Sequence, residues 1–80
     1  MEFKNYLLIV RTNTGTWNEK VKVNADLEIC KLFIKSMMRA SSKNNRGEII
    51  EGDRDYIMDC RVKPILKMRL DTDGSIVEDN

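Results

Sequence analysis

The sequence predicts an α+β domain in which a four-stranded sheet, in the order β-β-α-β-β, packs on one helix and leaves room for a short fifth strand. Three observations support this prediction. Residues 6–23 contain an apolar run, a Gly-containing turn and an alternating run, which together are typical of a β-hairpin. The apolar spacing then becomes helical as far as residue 40, and two more alternating runs follow the helix.

The first hairpin is predicted to supply a central strand and an edge strand. Residues 5–12 form the first strand, and its core Tyr6–Val10 (YLLIV) is apolar on both faces, as in a strand covered on both sides. Asn13–Gly15 supply the turn. In the second strand, residues 17–23, one face is polar, so we expect an edge strand with Trp17 packed in the core. The polar face consists of Asn18, Lys20 and Lys22.

A helix is predicted to follow and to end near Ala40. Asn24 or Asp26 can cap it, because their side-chain oxygens accept hydrogen bonds from the first free amides of a helix. Its apolar residues span about half of the circumference, whereas a helix on a small sheet needs a stripe of about 100°. The excess can serve a second packing partner, including a homodimer, or Met37 and Met38 can fold under the next loop. The apolar residues are Leu27, Ile29, Cys30, Phe33, Ile34, Met37, Met38 and Ala40.

The second half of the chain is predicted to add two strands and a tail. Residues 41–48 are polar and turn-forming, which predicts an exposed connection. Residues 56–62 alternate and predict the third strand. Pro64 marks an edge, a bulge or a corner, and residues 66–71 alternate again as the fourth strand. Residues 71–80 form an acidic turn and tail, whose two adjacent apolar residues can pair with a sheet edge.

Length and composition predict one soluble domain over residues 1–80. The chain is 41% hydrophobic and 34% charged, which is too apolar for a disordered chain and too often interrupted by charge for a membrane span. The N-terminal region has an acid at position 2 and no secretory signal pattern. We therefore expect a cytoplasmic protein with no membrane partner.

Charge is unevenly distributed along the chain, although the net charge is only +1. Residues 1–46 contain nine Lys and Arg against four acids, and residues 47–80 contain five against nine. Two interpretations stay open, a separation of charge that orients a partner or unrelated solvated faces, because the halves of a small domain interleave in space.

The sequence contains no pattern of a catalytic or cofactor-binding site. It has no histidine and no Gly-rich phosphate loop, so we expect no enzymatic activity and no cofactor. Cys30 and Cys60 cannot complete a zinc site alone, and we expect both to be reduced residues of the core. Asp53, Asp55 and Asp59 lie close together, as carboxylates do in nuclease-like metal sites, but a solvated turn explains their spacing better.

The predicted order of elements resembles the β-grasp architecture of ubiquitin and of the small immunoglobulin-binding domains of bacterial surface proteins. The likeness is confined to the N-terminal hairpin and helix, in the stretches LIVRTNTG, KVKV and ADLEICKLFIK. The resemblance implies that the first and last main strands pair in parallel, and the alternative is two antiparallel hairpins that share a helix. The last residues, VEDN, lack the Gly-Gly pair of the conjugated and sulfur-carrying members, so neither activity is expected.

The predicted function is the binding of another macromolecule, with a protein as the first expectation. An edge strand, a broad apolar helix and uneven charge support this interpretation. Adaptors and the inhibitors that phages make against host defence systems are compact chains of this kind, so the expectation includes a phage or mobile-element accessory. The alternative is a nucleic-acid-binding protein, because basic residues recur every four positions along the helix and continue into the loop. The candidate binding residues are Lys20, Lys22, Lys31, Lys35, Arg39, Lys43 and Arg46.

Overall fold

The computed structural model describes residues 2–56 and 58–79, which form five strands and one helix. In chain order the elements are β1 (Lys4–Arg11), β2 (Asn18–Ala25), α1 (Leu27–Ala40), β3 (Arg46–Glu51), β4 (Leu66–Leu70) and β5 (Ile76–Glu78). The strands form one sheet in the order β2-β1-β3-β4-β5, and every neighbouring pair is antiparallel. The predicted α+β class, with one helix on the sheet and a short fifth strand, is confirmed.

The pairing of β1 distinguishes the two topologies that the sequence left open. β1 pairs with β3 in the antiparallel sense, so the parallel pairing implied by the β-grasp resemblance is absent from the described strands. Because β2 and β3 are both antiparallel to β1, they run in the same direction, and α1 crosses over β1 to connect them. The remaining strands continue as an antiparallel meander.

The first hairpin has the predicted roles. β1 lies between β2 and β3, and Tyr6–Val10 are buried on both faces of the sheet. Gly15 has a φ of 75°, which favours glycine, and the Thr12 N–H donates to the Trp17 carbonyl at 3.1 Å across the turn. β2 has β1 as its neighbour on one side and forms one edge of the sheet. The predicted central and edge positions are therefore confirmed.

The helix begins after Asp26, whose Oδ1 accepts a hydrogen bond from the Ile29 N–H at 3.1 Å. Asp26 is therefore the cap of the two predicted candidates, and such a cap is worth about 1 kcal/mol. Cys30, Ile34 and Met38 are the buried side chains of the helix, one on each successive turn. They pack on the face of the sheet that Tyr6, Leu8 and Val10 of β1 share with β3 and β4. No helix in residues 2–56 and 58–79 has the length and apolar content needed to cross a membrane.

The predicted third strand at residues 56–62 is wrong, because the third strand is β3 and begins ten positions earlier. Backbone hydrogen bonds instead fold the predicted strand into turns, from the Asp59 N–H to the Asp55 carbonyl and from the Val62 N–H to the Asp59 carbonyl, both at 3.0 Å. Met58, which was predicted on the apolar side, is 73% exposed. Ile57 belonged to the same prediction and lies outside the described residues.

Residues 52–56 and 58–65, which we call the covering segment, lie on the sheet face opposite to the helix. Tyr56 and Val62 of this segment pack on Leu7, Ile9 and Ile50, which point away from α1. The alternating apolar pattern of residues 56–62 therefore does not mark a strand. It includes two residues, Tyr56 and Val62, that anchor this segment on the sheet. The covering segment also explains why β1 and β3 are apolar on both faces, because each face of the sheet has its own cover.

The predicted exposed connection at residues 41–48 is wrong in its second half, which begins β3. Asn44, Gly47 and Glu48 are buried. A Cβ atom added to Gly47 would lie 2.8 Å from the Met38 sulfur, so this position has no room for a side chain beneath the helix. The glycine that is typical of a turn is needed here for the close approach of α1 and β3.

Both cysteines are free thiols, but only one of them belongs to the core. Cys30 is buried beneath the helix, and burial raises the pKa of its thiol. Cys60 is exposed, so its predicted core position is wrong. The reason is the turn structure of the covering segment, which points this side chain toward solvent.

Candidate functional site

The seven basic residues predicted as one binding surface are divided between the two faces of the molecule. Lys20, Lys22 and Arg46 lie on the sheet face opposite to the helix, because they pair with β1 residues of that face. The others lie on the helix or at its C-terminal end. These are Lys31, Lys35, Arg39 and Lys43.

The basic stripe of the helix is partly used within the fold. The Lys31 ammonium lies 3.3 Å from a Glu28 carboxylate oxygen and 3.7 Å from one of Glu78, so it links α1 to β5. Lys35 is half-buried and Arg39 is exposed, and neither forms an ion pair with a residue that the structure describes. The stripe therefore presents two cations to solvent rather than a continuous line.

Lys43 and Trp17 meet at the C-terminal end of the helix. The Lys43 ammonium lies 4.9 Å from the centroid of the Trp17 ring, within the range of a cation–π contact. The indole N–H donates to the Asn44 side-chain oxygen at 3.0 Å, and the Asn44 amide donates to the Met37 carbonyl at 2.9 Å. Trp17 directly precedes β2 and was predicted to pack in the core, but 41% of its surface is exposed, so it lies at the edge of the core and not within it.

Lys20 forms an ion pair with Asp55, and this contact fastens the covering segment to the edge strand. Asp55 is almost fully buried, and its Oδ1 also accepts a hydrogen bond from the Met58 N–H at 3.0 Å. Asp59 is bound instead by Arg61, whose hydrogen bond lowers the pKa of that carboxyl. The aspartates of this region therefore stabilise turns and pair with cationic side chains. The described residues contain no group of three or more acidic or cysteine side chains placed to hold a metal ion.

Three large apolar side chains lie on the outer face of the helix. Ile29, Leu32 and Phe33, which we call the helix strip, are between 45% and 68% exposed. At about 100° per residue, Ile29 and Phe33 lie about 160° around the helix axis from Lys31. Because Lys31 points to β5, this side of the helix points to the opposite edge of the sheet, formed by β2.

The edge of the sheet toward which Ile29 and Phe33 point is also apolar on its helix side. Val21 and Val23 of β2 are half-buried and lie on the helix side, opposite Leu8 and Tyr6. No other described strand pairs with the outer side of β2, which we call the β2 edge. A partner on this side would meet apolar side chains and an unpaired strand at the same time.

Arg11, Arg46 and Arg69 form a row that sequence reasoning missed. The register places Arg46 directly opposite Arg11 on one side and Arg69 on the other, so all three point away from the helix. We call this set the arginine row. No local pattern could reveal it, because the three residues are far apart in sequence and are aligned only by the pairing of β1, β3 and β4.

Each residue of the arginine row has an acidic neighbour. The Arg11 Nε donates to Glu48 Oε1 at 3.0 Å, and this hydrogen bond raises the pKa of the Arg11 guanidinium. The Tyr56 hydroxyl donates to the same oxygen at 3.2 Å, so this network also anchors the covering segment. Burial raises the pKa of Tyr56, and the negative charge of Glu48 raises it further. The other two neighbours are more distant, at 3.9 Å for Arg46 and Asp79 and 3.6 Å for Arg69 and Asp71.

The uneven charge of the sequence is used in ion pairs between the two halves of the chain. Five ion pairs of the described residues join a cation from residues 1–46 to an acid from residues 47–80. They are Lys4–Glu51, Arg11–Glu48, Lys20–Asp55, Lys31–Glu78 and Arg46–Asp79. The asymmetry therefore serves contacts within the fold, because the halves interleave in one sheet.

The helix strip, the β2 edge and the arginine row are the candidate surfaces that the described residues present to a partner. The first two lie side by side at one edge of the molecule, and the third lies on the opposite sheet face. No protein-family model, curated protein or solved structure matches this chain.

Proposed function

We propose that this chain is a non-catalytic protein-binding domain that uses the helix strip together with the neighbouring β2 edge. The observation that supports this proposal is the helix strip, in which three large apolar side chains stand next to one another on a solvated helix face. Adjacent exposed apolar residues mark interaction sites, whereas single ones are common on any surface. An adaptor or an inhibitor, including a phage-encoded inhibitor of a host defence system, acts through such a surface.

The helix strip is not needed for the core of this domain. The buried side of the helix is formed by Cys30, Ile34 and Met38, which face the sheet. Fully burying an exposed large apolar side chain yields about 1.5 to 3 kcal/mol, and side chains that are 45% to 68% exposed gain about half of that each, so three adjacent ones can anchor a partner. Exposing them to water instead gives no benefit to the folded monomer, and this favours a role in binding.

Leu32→Glu and Phe33→Glu are expected to reduce partner binding at least about tenfold, because each places a charge where the partner buries apolar surface. The measurement is capture by the immobilised full chain from extracts of its source, followed by titration of the captured protein. If that partner is a second copy, sedimentation shows a wild-type dimer that the same variants dissociate.

Thr72→Glu is the control for this experiment, because it adds the same charge at an exposed turn between β4 and β5. Circular dichroism checks that each variant keeps its fold. Binding that survives both helix-strip variants in folded protein would refute the proposed role of this surface.

Nucleic-acid binding is the second candidate function. For this function the arginine row is a better candidate surface than the basic residues of the helix. Adjacent strands lie about 4.8 Å apart, so three guanidinium groups span about 10 Å across the sheet. Lys67 of β4 lies on the same face, opposite Glu48. The acidic neighbours of all three arginines weaken their attraction for phosphate, and this is why the candidate ranks second.

A salt titration tests this second candidate. Binding through the arginine row predicts an affinity for nucleic acid that falls steeply with salt and is lost in Arg46→Glu combined with Arg69→Glu. The matched control is Lys35→Glu combined with Arg39→Glu, which makes the same charge change on the helix and should bind normally. Absence of binding at low salt would eliminate the candidate.

A further inference from the structure

We infer that the β2 edge binds an extended segment of another protein as an added strand, in which apolar and acidic residues alternate. This inference rests on the proposed protein-binding function and specifies the chemistry of the partner. It depends on three features of β2: its free backbone groups, the apolar surface on its helix side and the lysines on its other side.

The backbone groups of four β2 residues point away from the sheet. The hydrogen bond between Thr12 and Trp17 marks a hydrogen-bonded pair, and such pairs alternate with non-hydrogen-bonded ones along an antiparallel ladder. The Gly52 N–H donates to the Asn5 carbonyl at 2.8 Å on the β3 side, which fits the same alternation. The residues whose N–H and C=O groups face the open edge are therefore Asn18, Lys20, Lys22 and Asn24.

The two sides of β2 select different side chains in an added strand. A strand that continues the sheet places alternate side chains on the two faces. On the helix side, its residues would contact Val21 and Val23 and approach Ile29 and Phe33 of the helix strip. Apolar residues are therefore favoured at every second position.

On the other side, the added strand would face lysines. Lys20 and Lys22 are exposed and lie on the sheet face opposite to the helix. Lys20 already binds Asp55, whereas Lys22 forms no ion pair with any residue that the structure describes. Opposite charges directly across a strand pair are stabilising, so acidic residues are favoured at the positions between the apolar ones.

The same lysines disfavour a second copy as the occupant. An antiparallel pairing of β2 with itself, centred on Val21, places Lys20 opposite Lys22 of the second copy. Moving the centre by one residue places Lys20 opposite Lys20 or Lys22 opposite Lys22. Like charges directly opposite each other are destabilising, so each of these registers is penalised. The competing explanation is that the edge lysines serve only to prevent such self-pairing. This explanation predicts no selective binding of acidic strands.

A titration of the isotope-labelled full chain with short peptides tests the inference. One peptide alternates valine with glutamate, one alternates valine with lysine, and one has the composition of the first in scrambled order. We expect the glutamate peptide to bind about tenfold more tightly than the other two. Its binding should shift and protect the amides of Asn18, Lys20, Lys22 and Asn24. Equal binding of all peptides, or no binding at these amides, would overturn the inference.

Substitutions at Lys22 separate the contributions of charge and backbone. Lys22→Glu is expected to reverse the preference, so that the lysine peptide binds more tightly than the glutamate peptide. Lys22→Pro removes an outward N–H that β1 does not use, and edge strands tolerate proline at such positions. It should abolish binding of the glutamate peptide, whereas Lys22→Ala should only weaken it. Lys67→Glu makes a matched charge change away from β2 and should leave binding unchanged.

The outcome distinguishes this inference from the proposed function. If the peptides do not bind β2 but helix-strip variants still lose the partner, the added-strand inference is wrong and the protein-binding function stands. If the glutamate peptide binds the outward β2 amides and Lys22→Glu reverses the preference, the inference is supported. This holds whether or not helix-strip variants weaken capture of the partner.

Discussion

Ile34→Ala is expected to lower the free energy of unfolding by about 2 to 5 kcal/mol, which is a large part of the stability of an 80-residue domain. Ile34 is fully buried on the central turn of α1 and lies above Gly47 of β3. Truncating it leaves a cavity between the helix and the sheet, where the surrounding strands are held by their own ladders and collapse poorly into the space. Chemical denaturation of the purified variant measures the loss.

Leu32→Ala is the matched control, because it removes the same number of carbon atoms two positions away on the same helix. Leu32 is the most exposed residue of the helix strip, so its truncation is expected to change stability by no more than about 0.5 kcal/mol. Equal losses in the two variants would mean that the helix presents a different face to the sheet, and the helix strip would no longer be a candidate surface.

Asp55→Ala is expected to lower the free energy of unfolding by about 2 to 3 kcal/mol. The change breaks the ion pair with Lys20 on the sheet face opposite to the helix and removes one of the two acceptors of the Met58 N–H, leaving the Asp55 backbone carbonyl. Breaking a fully buried pair costs about 3 to 5 kcal/mol, but the Lys20 side chain is 35% exposed and can turn toward water, which reduces the loss. Denaturation with urea measures this effect.

Proteolysis shows where the Asp55→Ala variant loosens. Trypsin can cut the covering segment after Arg54 and Arg61, and the variant should be cut there much faster than the wild-type chain. Asp53→Ala is the control, because Asp53 is exposed and next to the same turn. If Asp55→Ala is as stable and as resistant as Asp53→Ala, the covering segment is held without Asp55, by its apolar anchors and the hydrogen bond from Tyr56 to Glu48.

The elements that could be predicted are those whose structure follows from residues close to one another in the sequence. The hairpin of β1 and β2 follows from an apolar run, a glycine turn and alternation, and the helix follows from its spacing and from Asp26. β4 and β5 were also predictable, because Leu66–Leu70 keep the alternation of a strand with one buried face and Ile76–Glu78 keep the apolar pair of a short edge strand. In each of these cases the local pattern and the tertiary environment favour the same structure.

The remaining features depend on contacts between distant residues. β3 begins with Arg46, Gly47 and Glu48, which are typical of a turn, yet Gly47 lies beneath the helix and Glu48 is held by Arg11. Residues 56–62 alternate like a strand, but only the two ends of that run touch the sheet. The arginine row and the position of the helix strip next to β2 likewise follow from strand order, which no local pattern encodes.

The ion pairs between the two halves of the chain also bear on how the protein reaches its native state. Arg11 and Glu48 are separated by 37 positions, and Lys20 and Asp55 by 35, so each contact requires the closure of a long loop. In the denatured chain, the positive first stretch and the negative second stretch attract each other over a distance of about 10 Å at moderate ionic strength. We expect this attraction to bring the last strands toward the first hairpin before any side chain is in place, and we expect concentrated salt to screen it while leaving the apolar core intact.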